Sequence, residues 1–115
     1  MVDRRSEIRK FLIYYTRVYD TQSHLQVGNL VDITSMGAML ITPTLVPIGV
    51  DFDLKLELSE EVADIPYMEI SAQSLWSHKD IDPTLFNSGF KFLDVSQENA
   101  AIIHNLVNIF GFRDN

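Results

Sequence analysis

Apolar and charged residues alternate without a break over residues 52–58 of the chain. Every second residue from Phe52 to Leu58 is apolar, and the residues between them are aspartate, lysine and glutamate. A period of two is typical of a strand with one buried and one solvent-facing side. Five further segments are predicted to be strands, the first of which, residues 11–19, is rich in aromatic and β-branched residues. These segments comprise residues 11–19, 24–33, 38–42, 68–77 and 89–93.

Segments of glycine, proline and polar residues separate the predicted strands, as expected of turns and loops. These segments comprise residues 20–23, 34–37, 43–49, 60–66 and 80–83. Within the second predicted strand, the pair Gly28-Asn29 indicates a bulge or a bend.

The hydrophobic period changes to that of a helix near the end of the chain. Apolar residues recur at helical spacing at Ile102, Ile103, Leu106, Val107 and Phe110. Ser96 precedes this run and is a residue type that caps helix N-termini. Glu98 follows in the first turn, where the helix dipole favours a carboxylate, and Gly111 stands where the helix should end.

Six or seven short strands followed by one amphipathic helix predict a small antiparallel barrel or sandwich. The helix is expected to cap an open end of the sheet or to pack on its neighbour. With 115 residues, of which 46% are hydrophobic, the chain is expected to form one domain with a single core.

The composition excludes several classes of protein. There is no cysteine, so disulfide frameworks, thiolate zinc sites and cysteine nucleophiles are excluded, and a reducing cytoplasm is the expected location. The first ten residues are too charged for a signal peptide. No apolar run approaches the roughly 20 residues that cross a bilayer, so membrane insertion is not expected.

The charge is distributed unevenly along the chain. The net charge is -7, yet residues 1–10 hold four of the nine basic groups. Long DNA or RNA would be repelled by most of such a surface, so neither is an expected partner. A small anion bound at one end fits the same pattern, and so does the alternative that residues 1–10 are a solvated, frayed terminus.

Arg4, Arg5 and Arg9 are the first candidate binding residues. A guanidinium group pairs bidentately with phosphate oxygens or with O6 and N7 of guanine, and its flat face stacks on a purine. Two arginines four positions apart can therefore present two such groups to one ligand. Taken alone, this spacing is common by chance.

A second candidate group, Asp32, Thr34 and Gly37, lies where a predicted strand runs into a turn. The carboxylate of Asp32 is suited to accept hydrogen bonds from N1-H and N2 of a guanine, and the hydroxyl of Thr34 to reach a phosphate or a base edge. Gly37 allows a positive φ or a close approach of the backbone to a ligand. The alternative is structural, because aspartate and threonine often satisfy turn amides and glycine completes such turns.

The two groups together resemble the PilZ domain family, whose ligand motifs are Arg-x-x-x-Arg and Asp/Asn-x-Ser-x-x-Gly. The resemblance continues in a strand containing Trp76, in the strand Gly89-Phe-Lys-Phe-Leu-Asp, and in the helix after it, so it spans roughly residues 4–110. It implies an all-β, six-stranded antiparallel barrel with a C-terminal helix that binds the bacterial second messenger cyclic di-GMP.

The resemblance also implies roles for the candidate residues. Arg5 and Arg9 would hold phosphates and a guanine. In this family, an arginine at the position of Arg4 accompanies the binding of a stacked dimer of the ligand. Asp32 would recognise a guanine edge, Thr34 would supply a hydroxyl, and Gly37 would permit the close approach of the ligand. Thr34 replaces the usual serine, which keeps the hydroxyl but adds a methyl group.

We therefore expect a flexible, arginine-rich ligand-binding segment, residues 1–10, and a barrel with its helix, residues 11–115, within a single domain 1–115. Binding of cyclic di-GMP would order residues 1–10 and alter the interaction with an unidentified protein partner, in motility or biofilm signalling of the kind this family suggests.

Two other classes of function compete with this hypothesis. An enzyme is disfavoured because His24, His78 and His104 fall in different elements without metal-ligand spacing, and Ser35 lacks the setting of a hydrolase nucleophile. No cofactor or metal is expected. The other alternative is a PilZ-like adaptor that contacts proteins through its aromatic residues and binds no nucleotide.

Overall fold

The computed structural model describes residues 16–110, with the side chain of Phe110 excepted. These residues form six strands and one helix. The strands are β1 (Arg17–Asp20), β2 (Gln26–Ile33), β3 (Gly37–Thr42), β4 (Asp51–Glu57), β5 (Tyr67–Lys79) and β6 (Phe86–Asp94), and the helix is α1 (Gln97–Phe110).

The six strands form a closed barrel in the order β1-β2-β3-β6-β5-β4, with antiparallel pairing throughout. The short strand β1 closes it, because Val18 pairs with Gly28 of β2 on one side and with Leu56 of β4 on the other. The predicted antiparallel barrel of six strands with a C-terminal helix is confirmed.

Alternation along the strands separates an inner face of the barrel from an outer face. In β4, Leu54 and Leu56 are each 1% exposed, while Asp53 precedes them in an exposed position. In β6, Phe90 and Phe92 are buried and the intervening Lys91 is exposed. Apolar side chains at every second position therefore fill the barrel and leave the polar ones in solvent, which is the arrangement that the period of two predicted.

Helix α1 adds its apolar face to the same core. Ile102, Ile103 and Leu106 are buried with the barrel residues, and the helix packs against β5 and β2. Ser96 caps the helix, since its Oγ accepts a hydrogen bond from the Asn99 amide at 3.1 Å. The predicted helix and its cap are confirmed.

Two asparagine side chains attach α1 to the barrel. Nδ2 of Asn99 donates to the carbonyl oxygen of Glu69 in β5 at 2.8 Å. Nδ2 of Asn105 donates to the carbonyl oxygen of Val62, in the loop between β4 and β5, at 3.1 Å. These bonds fix the position of the helix along the barrel, which apolar contact alone does not specify.

The observed strands differ from the sequence predictions mainly at their ends. Strands β5 and β6 are longer than predicted, with 13 and 9 residues, because they pair with each other along most of their length. His24 has a φ of 63°, so it belongs to the β1–β2 turn rather than to β2. The irregularities of β2 fall at Val27 and Val31, on either side of the predicted Gly28-Asn29.

The loop between β3 and β4, residues 43–50, is held by the hydroxyl groups of two serines in β5, of which Ser74 is buried and Ser77 half-buried. Ser74 Oγ donates to the carbonyl oxygen of Pro47 and accepts from the amide of Val50 at 3.1 Å. Ser77 Oγ accepts from the amide of Val46 at 3.2 Å. Buried polar groups need such partners, so these serines attach the loop to the barrel wall at fixed points.

Within residues 16–110, no helix is both long and apolar enough to cross a membrane.

Candidate ligand-binding site

The predicted residues Asp32, Thr34 and Gly37 lie together where β2 ends and β3 begins. Asp32 is half-buried, and its Oδ1 accepts a hydrogen bond from the Ile33 amide at 2.9 Å. Thr34 Oγ1 accepts from the Met36 amide at 3.1 Å, and the Thr34 amide donates to the carbonyl oxygen of Gly37 at 2.8 Å. The structure therefore contains the turn contacts that the structural alternative anticipated.

These turn contacts leave capacity for a ligand. A hydroxyl group has one proton to donate and two acceptor positions, and Thr34 uses an acceptor position for the Met36 amide. Its proton is directed by rotation of the hydroxyl and can be donated to a phosphate or to a base. A turn role and a ligand role for Thr34 are thus chemically compatible.

Gly37 is required by the packing of the barrel itself. A Cβ atom at this position would lie 2.1 Å from the carbonyl oxygen of Phe90 in β6, a distance at which backbone must shift. Its φ is not in the left-handed region, so close approach rather than turn conformation explains the glycine. The role of Gly37 towards a ligand stays a prediction.

Asp32 begins a row of paired residues that crosses four strands on the outer face of the barrel. Asp32 in β2 pairs with Met39 in β3, Met39 with Gly89 in β6, and Gly89 with Trp76 in β5. Directly paired residues share a face of the sheet, and Leu40, next to Met39, points into the core. We call Asp32, Met39, Gly89 and Trp76 the outer row.

Trp76 occupies the space that Gly89 leaves in the outer row. A Cβ atom on residue 89 would lie 2.3 Å from Cε2 and 2.4 Å from Nε1 of the indole, so the ring lies directly over the backbone of β6. The same indole stacks on the imidazole of His78, with 5.3 Å between ring centroids and 28° between planes. The outer row therefore offers a carboxylate at one end and a half-buried aromatic ring at the other.

Lys91 lies beside this row and was not singled out by sequence reasoning. It pairs directly with Gly37, and its Cα is 3.4 Å from the position that a Cβ on Gly37 would take. The alternation between Phe90 and Phe92 was sufficient to place Lys91 on an outer face. Only the pairing of β6 with β3 places it beside the motif residues.

Arg4, Arg5 and Arg9 lie outside the described residues, as does the predicted flexible segment, residues 1–10. The structure does fix the position of Thr16, the first described residue. The carbonyl oxygen of Thr16 accepts a hydrogen bond from the Leu30 amide at 2.9 Å, and Arg17 pairs with Asn29. Thr16 thus lies beside β2 at Leu30, two positions before Asp32.

Two surface depressions lie elsewhere on the described part of the barrel. One, of about 240 Å³, lies between the β1–β2 turn and the start of β5. The other, of about 360 Å³, is lined by the carboxylates of Asp53, Glu69 and Asp94, which would repel an anion. None of the three motif residues lines either depression.

Residues 16–110 contain no candidate metal site, because no three histidine, aspartate or glutamate side chains among them converge on one point. His104 is exposed on α1, and its Nε2 is hydrogen-bonded to Asn108 Nδ2 at 3.0 Å. His78 is engaged with Trp76.

The sequence profile of the PilZ domain family matches residues 3–108, nearly the whole chain. The chain belongs to the PilZ domain family. PilZ domains are regulatory domains that bind cyclic di-GMP, and they are not enzymes. No curated protein sequence matches this PilZ domain significantly.

Two solved structures are similar to this PilZ domain. One is the PilZ domain with c-di-GMP of YcgR from Escherichia coli, at a TM-score of 0.64 and 16% identity, covering 86% of this chain and 84% of that chain. The other is the Bacillus subtilis inhibitor of motility (MotI/DgrA), at a TM-score of 0.67 and 12% identity. That match covers 82% of this chain but 46% of the other, so this PilZ domain spans less than half of that protein. At such identities both matches show the shared fold.

Proposed function

We propose that this PilZ domain is a cytoplasmic receptor for cyclic di-GMP, which binds on the outer face beside the turn from β2 to β3. The observation that carries the proposal is the position of Thr16, the first described residue. Thr16 is bonded to Leu30, two positions before Asp32. Seven residue steps separate Arg9 from Thr16 and span at most about 25 Å, and the eleven steps from Arg5 span at most about 40 Å. The covalent chain therefore tethers both arginines near the motif.

The chemistry of the two motifs is complementary to such a ligand. The carboxylate of Asp32 accepts from N1-H and N2 of a guanine, a pair of donors that adenine does not present together. The guanidinium groups of Arg5 and Arg9 neutralise the phosphates, which the acidic surface of the barrel would otherwise repel. Thr34 contributes a hydroxyl donor. The structure of a related PilZ domain with c-di-GMP supports the choice of ligand.

We propose further that binding orders residues 1–10 against the barrel and so changes the surface presented to a protein partner. Ligand binding shifts such an equilibrium only when it is stronger in the ordered state, and contacts from Arg5 and Arg9 supply that difference. Hydrogen exchange with and without cyclic di-GMP tests this step. Slower exchange at residues 4–9 with ligand is expected, and equal exchange would contradict the mechanism.

Titration calorimetry with cyclic di-GMP tests the receptor itself. We expect a dissociation constant between roughly 10⁻⁸ and 10⁻⁵ M. The Arg5→Ala/Arg9→Ala variant should lose most of this affinity, since each desolvated charge contact is worth on the order of 2–5 kcal/mol. Lys79→Gln is the control, because it removes a positive charge at the end of β5 far from Gly37 and should bind like the parent.

A second candidate function is a PilZ adaptor that binds proteins without nucleotide. It is favoured by the exposed aliphatic side chains of the loop 43–50, where Leu45 is 61% and Ile48 65% exposed on backbone that is bonded to Ser74 and Ser77. Absence of cyclic di-GMP binding by the parent protein would contradict the receptor and favour this adaptor.

A further inference from the structure

Lys91 is distinguished from the other described cations by lying next to the motif, and its side chain has no partner among residues 16–110. Arg17 Nε is 3.8 Å from Glu57, and the ammonium of Lys55 lies 4.2 Å from the ring centroid of Tyr67. Lys79 ends β5 and pairs with Phe86, at the far end of the barrel wall from Gly37. Among residues 16–110, Lys91 makes no ion pair or hydrogen bond through its side chain.

The position of Lys91 is set by the core. Phe90 and Phe92 on either side are 3% and 7% exposed, so the strand alternation directs Lys91 outwards. Its direct neighbours across the sheet are Gly37 and Gln73, neither of which carries a charge. Gly37 carries no side chain, so no side chain at this position of β3 stands between Lys91 and β2.

Lys91 is also at a suitable distance from Asp32. Asp32 shares the outer row with Gly89, and Lys91 is two residues beyond Gly89 on the same face. With strands about 4.8 Å apart and about 6.7 Å between alternate residues, the Cα atoms of Asp32 and Lys91 lie roughly 12 Å apart. A cyclic dinucleotide bound at Asp32 has to reach across this interval to meet Lys91.

We propose that Lys91 is a further ligand-binding residue, whose ammonium group contacts a phosphate of the bound cyclic dinucleotide across Gly37. The inference rests on the proposed receptor function. A compact, mobile ammonium suits a phosphate, which accepts from many directions. Lys91 also supplies, on the barrel itself, a positive charge that does not depend on the arginine segment.

Calorimetric titration with cyclic di-GMP of the parent, Lys91→Met and Lys79→Met tests this inference. Methionine keeps most of the length and the apolar stem of the side chain, so the folded barrel is retained. We expect Lys91→Met to raise the dissociation constant on the order of tenfold, as for a lost charged hydrogen bond. Lys79→Met changes the net charge equally and should bind like the parent.

A charge-preserving variant and salt separate a phosphate contact from a packing role. Lys91→Arg should restore most of the affinity, because guanidinium also binds phosphate. The difference between the parent and Lys91→Met should shrink between about 0.1 and about 1 M salt, as the screening length falls from about 10 to about 3 Å. A structural role would give a difference independent of salt.

The possible outcomes distinguish this inference from the receptor function. If the parent binds and Lys91→Met binds no worse than Lys79→Met, the receptor stands and the role of Lys91 is wrong. A loss in Lys91→Arg as great as in Lys91→Met would also overturn it. If the parent does not bind cyclic di-GMP, both fail together.

Discussion

The indole of Trp76 lies on Gly89 of the neighbouring strand, where a side chain of any size would meet the ring. A Cβ atom on residue 89 would stand 2.3 Å from Cε2 of the indole. Gly89→Ala should therefore displace the ring and destabilise the barrel by about 1–3 kcal/mol, as other overpacked substitutions do. Trp76 is the only tryptophan, so its fluorescence emission reports the displacement, and urea unfolding measures the stability.

Gly49→Ala is the matched control for this prediction. Gly49 has a φ of 77° and nothing lies within 4 Å of the position that a Cβ would take, so alanine there strains the backbone without touching Trp76. Its emission spectrum should equal that of the parent. Unchanged emission and unchanged stability in Gly89→Ala would contradict the placement of the indole.

Ser74→Ala should loosen the loop 43–50 from the barrel wall. Ser74 is 1% exposed and bonded to Pro47 and Val50, so alanine leaves the Pro47 carbonyl oxygen and the Val50 amide without these partners. We expect a loss of about 1–3 kcal/mol in unfolding free energy. Hydrogen exchange at the Val50 amide should also become faster.

Ser71→Ala provides the comparison on the same strand. The hydroxyl of Ser71 bonds to Asp53 at an exposed position, where water can replace it. Ser71→Ala should change the free energy of unfolding by less than about 0.5 kcal/mol, as most surface substitutions do. Equal losses in the two serine variants would show that burial of Ser74 does not matter to the loop.

Substitutions at Thr34 should separate turn formation from ligand binding. Thr34→Val removes the acceptor for the Met36 amide, which is exposed and can bond to water, so stability should change by less than about 1 kcal/mol. Affinity for cyclic di-GMP should fall on the order of tenfold, as for a lost hydrogen bond to a charged group.

Thr34→Ser keeps the hydroxyl and removes the methyl group. It should bind cyclic di-GMP at least as tightly as the parent, because the acceptor and donor are unchanged and the site is less crowded. Calorimetry and thermal unfolding of both variants give the two readouts. Parent-like affinity in Thr34→Val would exclude a ligand contact by this hydroxyl.

Asp82, in the turn between β5 and β6, should show a lowered pKa. The hydroxyl and the amide of Thr84 donate to Asp82 Oδ1 at 2.7 and 2.9 Å and stabilise the carboxylate, which lowers its pKa from the ordinary value of 3.8. Because the folded-state pKa is the lower one, the stabilising contribution is present above the ordinary value. It is lost as the pH falls through the lowered pKa.

NMR titration of the Asp82 carboxyl group measures this shift. Thr84→Val removes the hydroxyl donor, which is the larger cause, and should move the pKa upwards. The pKa of Asp82 should still stay below its ordinary value of 3.8, because the amide of residue 84 continues to donate to the carboxylate. A titration midpoint of Asp82 that is the same in the parent and in Thr84→Val would contradict the contact.

Local patterns were sufficient to predict most elements of this PilZ domain. The alternation in residues 52–58 predicted β4, since period two requires one buried face. The spacing around Ile102 and Leu106 predicted α1, and Ser96 predicted its start, because capping is a contact between neighbours in sequence. The ends of β5 and β6 were not predicted, because pairing with a distant strand extends them beyond their own propensity.

The candidate site was predicted only in part. Asp32, Thr34 and Gly37 lie within six residues of one another, so the sequence alone brings them together and suggests the motif. Glycine is also required at position 37 because a Cβ atom there would meet the carbonyl oxygen of Phe90. No local sequence pattern predicts this contact, since Phe90 lies on a distant strand.

Local sequence patterns predicted most strands of this PilZ domain and the start of its helix, and its two motifs predict that the arginines and the Asp32 group bind one ligand. The tertiary structure decided the strand order β1-β2-β3-β6-β5-β4. That order sets Trp76 at the far end of the row from Asp32 and Lys91 beside Gly37. The physical reason is that side-chain alternation specifies a face of a strand, whereas closure of the barrel chooses its neighbours.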